Sequence, residues 1–186
     1  MLKKELRVKN LSLRNSISPE DLSEQSLQLA NTLLTIPIWN FSFYHLFLPI
    51  TNKQEVDTSF ILSILQGKDK NVVLPKMVDG QKLIHFLLTD NTIIKHNKWG
   101  VPEPLDGLEV PTNKIEVVFL PLLAFDAKGN RVGYGKGYYD IFLKECNPSV
   151  LKIGLSIFEA EENIDDISSD DIPLDYCITP NKVYTF

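Results

Sequence analysis

At 186 residues and 44% hydrophobic content, the chain can bury one sizeable core but not two, so a single domain over residues 1–186 is expected. A net charge of −5 argues against a nucleic-acid partner, because such surfaces carry basic patches that displace counterions; any anion must be met by a local cluster of cations. Two cysteines without CxxC spacing and three scattered histidines (His45, His85, His96) exclude the usual zinc patterns, and Cys146 and Cys177 read as buried small apolar residues.

Met1-Leu2-Lys3-Lys4-Glu5 lacks the apolar stretch of a signal peptide, and no run approaches about 18 apolar residues, so a cytoplasmic protein with no membrane partner is expected. Leu2, Leu6 and Leu13 fit a first helix whose exposed side carries Lys3, Lys4, Arg7 and Lys9. Ser18 and Pro19 supply an N-cap and a first helical residue for a second helix, with Leu22, Leu29, Ala30 and Leu33 at helical spacing until Pro37. Residues 41–49 read as a buried strand, and 56–65 return to helical spacing before Gly67. Residues 71–75, 83–88, 115–125 and 151–158 are further strands, with a short helix over 138–146. This alternation implies a mostly parallel sheet covered on both faces, hence an α/β fold. Residues 96–111 hold Pro102, Pro104 and Pro111 with Gly100 and Gly107, which predicts an irregular, shaped surface loop. The acidic stretch 159–171 reads as a solvated connection.

After the strand ending near Phe125, the chain packs Gly133, Gly135 and Gly137 between Arg131, Lys136 and Asp140. Glycines let backbone N–H groups approach an anion, and the two cations add full charge, so the segment reads as a phosphate-binding loop. It matches neither the Walker A pattern nor the dinucleotide fingerprint, since the glycines run G-x-G-x-G and no GKS or GKT follows.

Four segments together resemble 5-formyltetrahydrofolate cyclo-ligases: Lys3-Lys4-Glu5-Leu6-Arg7, Glu55-Val56-Asp57-Thr58, Trp99-Gly100-Val101-Pro102-Glu103-Pro104, and Leu120 through Asp140. The resemblance spans essentially the whole chain and is most specific from Ala124 to Asp140. It implies a three-layer α/β/α sandwich and ATP- and Mg²⁺-dependent closure of 5-formyltetrahydrofolate to 5,10-methenyltetrahydrofolate, with release of ADP and phosphate. It further implies that Lys3, Lys4, Arg7, Arg131, Val132, Gly133, Tyr134, Gly135, Lys136, Gly137, Tyr138 and Tyr139 surround ATP. By the same resemblance, Arg131 and Lys136 act on the phosphoryl group, Glu55, Trp99 and Tyr139 meet the folate, and Asp140 and Asp175 hold Mg²⁺. Tyr134 stands where some members have arginine, which lowers the expected number of charged phosphate contacts. A monomer is the expected state, with a dimer as the alternative.

Plainer readings stand beside these. Lys3 and Arg7, one turn apart, fit a solvated face; Glu55 fits a carboxylate near a helix N-terminus; Trp99 fits a packing anchor. Alternation suggests that only one of Tyr138 and Tyr139 reaches a ligand. The residues alone also leave open a phosphosugar-binding or isomerase-like domain, or a nucleotide-binding module without catalysis.

Overall fold

Helical and strand periodicity resolve into four helices around a seven-stranded sheet in the computed structural model, which describes residues 1–186. In chain order these are α1 (Lys3–Asn15), α2 (Pro19–Leu33), β1 (Phe43–His45), α3 (Ser59–Gly67), β2 (Asn71–Val78), β3 (Lys82–Leu87), β4 (Ile94–His96) and β5 (Pro102–Pro104). There follow β6 (Val117–Pro121), β7 (Ala124–Phe125), β8 (Arg131–Val132), α4 (Tyr138–Glu145), β9 (Leu151–Leu155), β10 (Tyr176–Ile178) and β11 (Val183–Thr185). The sheet order is β11-β10-β9-β6-β1-β2-β3. Pairing from β10 to β2 is parallel, and β11 and β3 close the two edges antiparallel.

A parallel sheet covered on both faces needs apolar side chains on both, and β6 supplies them by alternation. Val117 and Phe119 join the core against α2 and α3, with Leu29, Leu33, Ile61 and Leu65. Val118 and Leu120 face the other way, onto Phe142 and Leu143 of α4. This is a three-layer α/β/α arrangement. Ser18 caps α2 by accepting a hydrogen bond from the Asp21 N–H at 3.0 Å, and Pro19 follows as its first residue.

The first helix departs from expectation. Its buried residues are Leu6, Asn10 and Arg14, whereas Leu2 and Leu13 are exposed. It packs on the β7–β8 hairpin through Leu6, Ala124, Val132 and Ile164, beyond the carboxyl end of β6. The acidic stretch is no free connection either, because it clasps this helix. Asp165 pairs with the Met1 ammonium at 2.7 Å, Asp166 accepts from the Lys3 N–H at 2.7 Å, and Glu161 binds Lys9 at 2.8 Å. Carboxylates placed at a helix N-terminus also oppose the macrodipole.

The proline-rich segment is partly regular, because β4 and β5 form a two-stranded antiparallel ribbon. Pro102 and Pro104 are tolerated on this edge since the ladder is carried by neighbours: the Leu105 N–H donates to the Ile93 carbonyl and the Asn97 N–H to the Val101 carbonyl. Strands over 41–49 and 115–125 are shorter than expected, and β10 and β11 had no sequence expectation.

Candidate active site

Strand carboxyl ends open onto a cavity of about 320 Å³. Open α/β sheets place ligand sites at this end because successive strand-to-helix loops converge there. One wall is cationic and built from Lys3, Arg7, Arg131 and the Gly133–Gly137 turn, with Asp140 and Asp171 beside them. The opposite wall is largely apolar and includes Phe47, Leu48, Ile50, Met77, Val101 and Trp99.

The glycine turn has its shape for a definite reason. Gly135 and Gly137 adopt φ of +87° and +74°, which L side chains rarely take. A Cβ on Gly135 would lie 3.1 Å from the Arg7 guanidinium carbon. Arg7 is therefore laid across the turn, its Nε donating to the Gly133 carbonyl at 2.9 Å. Gly137 is the N-cap of α4, so the unsatisfied N–H groups of the first turn join the cavity wall and add partial positive charge.

Of the residues anticipated for ATP, Lys3, Arg7, Arg131, Gly133, Tyr134, Gly135, Lys136, Gly137, Tyr138 and Tyr139 all line the cavity. Both tyrosines do so, where alternation suggested one. Lys4 and Val132 do not: Lys4 is exposed one position off the inward face of α1, and Val132 is buried under Leu6. The plain solvated-face reading of Lys3 and Arg7 fails, since Lys3 is ion-paired with Asp171 and both side chains reach the cavity.

Arg131 is buried, with its guanidinium bound to Asp140 at 2.8 Å and to the Ile172 carbonyl at 2.6 Å. Asp140 Oδ1 accepts from Arg131 and from the Ile172 N–H, while Oδ2 has no hydrogen bond within the chain. No three His, Cys, Asp or Glu side chains converge as a metal cage. Mg²⁺ needs none, because it is commonly held by one or two carboxylates together with substrate phosphates. Asp140 Oδ2 beside the cationic wall fits that role. Asp175 does not: it accepts from the Lys152 N–H at 2.8 Å and pairs with the Lys152 ammonium at 2.7 Å. It immediately precedes β10, at the amino end of a parallel strand and so at the opposite end of the sheet. The carboxylate that does reach the cavity from this segment is Asp171, held by Lys3 and the Ser168 N–H.

Glu55 is 5% exposed at the junction of the two walls. Its Oε2 accepts from the Ile50 N–H at 2.7 Å and its Oε1 from the Tyr134 hydroxyl at 2.7 Å. Burial pushes its carboxyl above the usual range, while these hydrogen bonds and the charges of Arg14 and Lys53 pull it back. The same burial raises the Tyr134 and Tyr139 phenols, so both are neutral. Trp99 is 43% exposed at the mouth, with the Lys136 and Lys98 ammonium groups each 4.4 Å from its ring centroid.

The family model for the 5-formyltetrahydrofolate cyclo-ligase family matches residues 1–180. The chain belongs to this family. Among curated relatives, a probable 5-formyltetrahydrofolate cyclo-ligase of Schizosaccharomyces pombe is 28% identical, over 97% of this chain and 96% of that protein. The solved structure of Aquifex aeolicus 5,10-methenyltetrahydrofolate synthetase superposes with a TM-score of 0.85 at 32% identity, covering 100% of this chain and 93% of that one. A synthetase structure from Mycoplasma pneumoniae shares the fold, with a TM-score of 0.77 at 24% identity over 97% and 99% of the two chains. This cyclo-ligase family member is thus an enzyme, and the cavity just described gathers its charged side chains at the strand ends.

Three polar residues of the site were not anticipated: Arg14, Lys53 and Asp171. Arg14 had a usable signal, because positions 3, 7 and 14 share one helical face, and three cations on a face that also buries Leu6 are not there for solvation. Lys53, whose ammonium lies 4.3 Å from the Tyr134 ring centroid, and Asp171 arrive on irregular segments that carry no periodicity.

Proposed function

We propose that the protein uses ATP and Mg²⁺ to close 5-formyltetrahydrofolate to 5,10-methenyltetrahydrofolate, releasing ADP and phosphate. The carrying observation is the two-walled cavity: a cationic glycine turn faces an apolar chamber, and one buried carboxylate stands where they meet. A formamide oxygen is a poor leaving group. Transfer of the γ-phosphoryl to that oxygen breaks the bond to the β-phosphate and makes a phosphorylated, imidate-like formyl group. N10 then attacks the formyl carbon, loses its proton, and the carbon–oxygen bond breaks to expel phosphate.

The chain's contribution to this is positioning and charge neutralisation. Arg7, Lys3 and the N–H groups of the turn would hold the phosphates, and Arg131 would fix Asp140 for the cation. When bound, Mg²⁺ would neutralise phosphate charge and orient the γ-phosphoryl. Lys136 reaches over the cavity mouth from the turn and would follow the charge on the moving group. Glu55 would accept hydrogen bonds from the pterin, with Trp99 and Tyr139 forming the folate's apolar walls. We place the reaction in the cytoplasm, a reading supported by two buried free cysteines and by the absence of any helix long and apolar enough to cross a membrane. A monomer suffices, since one chain supplies both walls.

Mixing the protein with ATP, Mg²⁺ and 5-formyltetrahydrofolate should produce the absorbance of methenyltetrahydrofolate, and omitting either ATP or the cation should abolish it. Absorbance that forms without nucleotide would overturn the phosphoryl-transfer reading.

A further inference from the structure

Two buried ionisable groups near the cavity lack a direct counter-ion. Arg14 is 3% exposed and Glu55 5% exposed, and neither forms a direct ion pair within the chain. Burying an isolated charge is costly enough that such groups are paired or neutralised. What lies between them is the Tyr134 hydroxyl. It accepts from Arg14 Nη1 at 3.2 Å and donates to Glu55 Oε1 at 2.7 Å. A phenol has one proton to give, so accepting from the guanidinium commits that proton to the carboxylate. The other Arg14 nitrogen that bonds, Nη2, donates to the Leu122 carbonyl and locks the fork in place.

We propose that Tyr134 and Arg14 are positioning residues: the phenol, oriented by the guanidinium, is a strut that holds Glu55 ionised and aimed into the folate chamber. Tyr134 departs from the phosphate-facing residues around it. Its backbone belongs to the glycine turn on the cationic wall, whereas its side chain reaches the carboxylate at the junction of the two walls. The strut therefore ties the position of the phosphate turn to the geometry of the folate acceptor. Other charged or titratable groups facing Glu55 are Lys53, from the turn preceding it, and Tyr139, from α4. Lys53 lies over the Tyr134 ring and supports the same charge state from the cavity side.

This rests on the proposed role of Glu55 in binding the folate, so the test has a readout independent of turnover. The Glu55 side-chain carboxyl is followed by ¹³C NMR through a pH titration of the ligand-free protein, with Glu55→Gln used to assign the signal. Tyr134→Phe, which removes only the hydroxyl, should move the Glu55 midpoint upward. In turnover it should raise the KM for 5-formyltetrahydrofolate about tenfold, the scale of removing one hydrogen bond to a charged group, with ATP affinity changed less than about twofold. Arg14→Lys keeps the charge but loses the fork, and should produce a smaller shift in the same direction.

An unchanged Glu55 midpoint in folded Tyr134→Phe overturns the strut. A changed midpoint with an unchanged folate KM overturns its role in substrate binding. Loss of ATP affinity alone would make Tyr134 a phosphate-turn residue and also overturn it. Absence of turnover by the unaltered protein would remove the proposed reaction, while the NMR comparison would still decide the strut.

Discussion

Acidification should destabilise this protein through His85, by an amount its environment sets. His85 of β3 is 1% exposed and His45 of β1 is fully buried; their rings meet edge to face at 5.4 Å, and Phe142 lies 4.2 Å from the His85 ring centroid. Neither nitrogen of the His85 imidazole has a hydrogen-bond partner. Burial holds the His85 imidazole down to about 4, against an ordinary 6.5, and pushes His45 well below its ordinary value too. Both are neutral in the folded state, while in the unfolded chain they take up protons below about pH 6.5. The unfolded state then binds more protons, so stability present above that pH falls as the pH drops toward 4. The gap between 6.5 and about 4, at about 1.36 kcal/mol per pH unit, sets a ceiling of about 3 kcal/mol for His85. About 2 kcal/mol of it is lost by about pH 5. Urea unfolding across this range, for the unaltered protein and for His85→Leu, isolates the effect, because the other titrating groups are common to both. The variant should lose about 2 kcal/mol less between about pH 7.5 and about pH 5. Equal losses would refute the claim that His85 is held neutral by burial.

Lys136→Met should lower kcat by at least about 100-fold, the scale set by removing one preorganised cation, and single-turnover phosphoryl transfer at the original rate would contradict it. Asp140→Asn should lose most activity and need more Mg²⁺, since a neutral amide is a poor ligand beside a phosphate-bound cation; a cation titration of activity checks this. Gly135→Ala should cost about 1 kcal/mol for its positive φ and push Arg7 off the turn, raising the KM for ATP but not for the folate, as initial-rate kinetics would show. Glu55→Gln should do the reverse, raising the folate KM far more than that for ATP.

Local chemistry made much of this protein legible from the chain alone. The Ser18-Pro19 start of α2, the doubly apolar β6 and the glycine turn rest on interactions between residues a few positions apart, so their signals survive without any fold. The glycine turn with its flanking charges over residues 131–140 was readable for that reason. What only the tertiary structure decided is where distant segments meet. Periodicity assigned Leu2 and Leu13 to the buried face of α1, yet the helix turns Asn10 and Arg14 inward because its partners are a hairpin and a cavity, not a layer of apolar side chains. Asp171 and Asp175 lie four positions apart, one closing the acidic stretch and the other just beyond it, and nothing local distinguishes them. The chain passes from the carboxyl end of the sheet to its amino end between them, so one enters the site and the other pairs with Lys152. Arg14, Tyr134 and Glu55 are 120 and 79 positions apart along their hydrogen bonds. Such a chain of bonds is enforced by desolvation, which acts only after folding has removed water from all three groups.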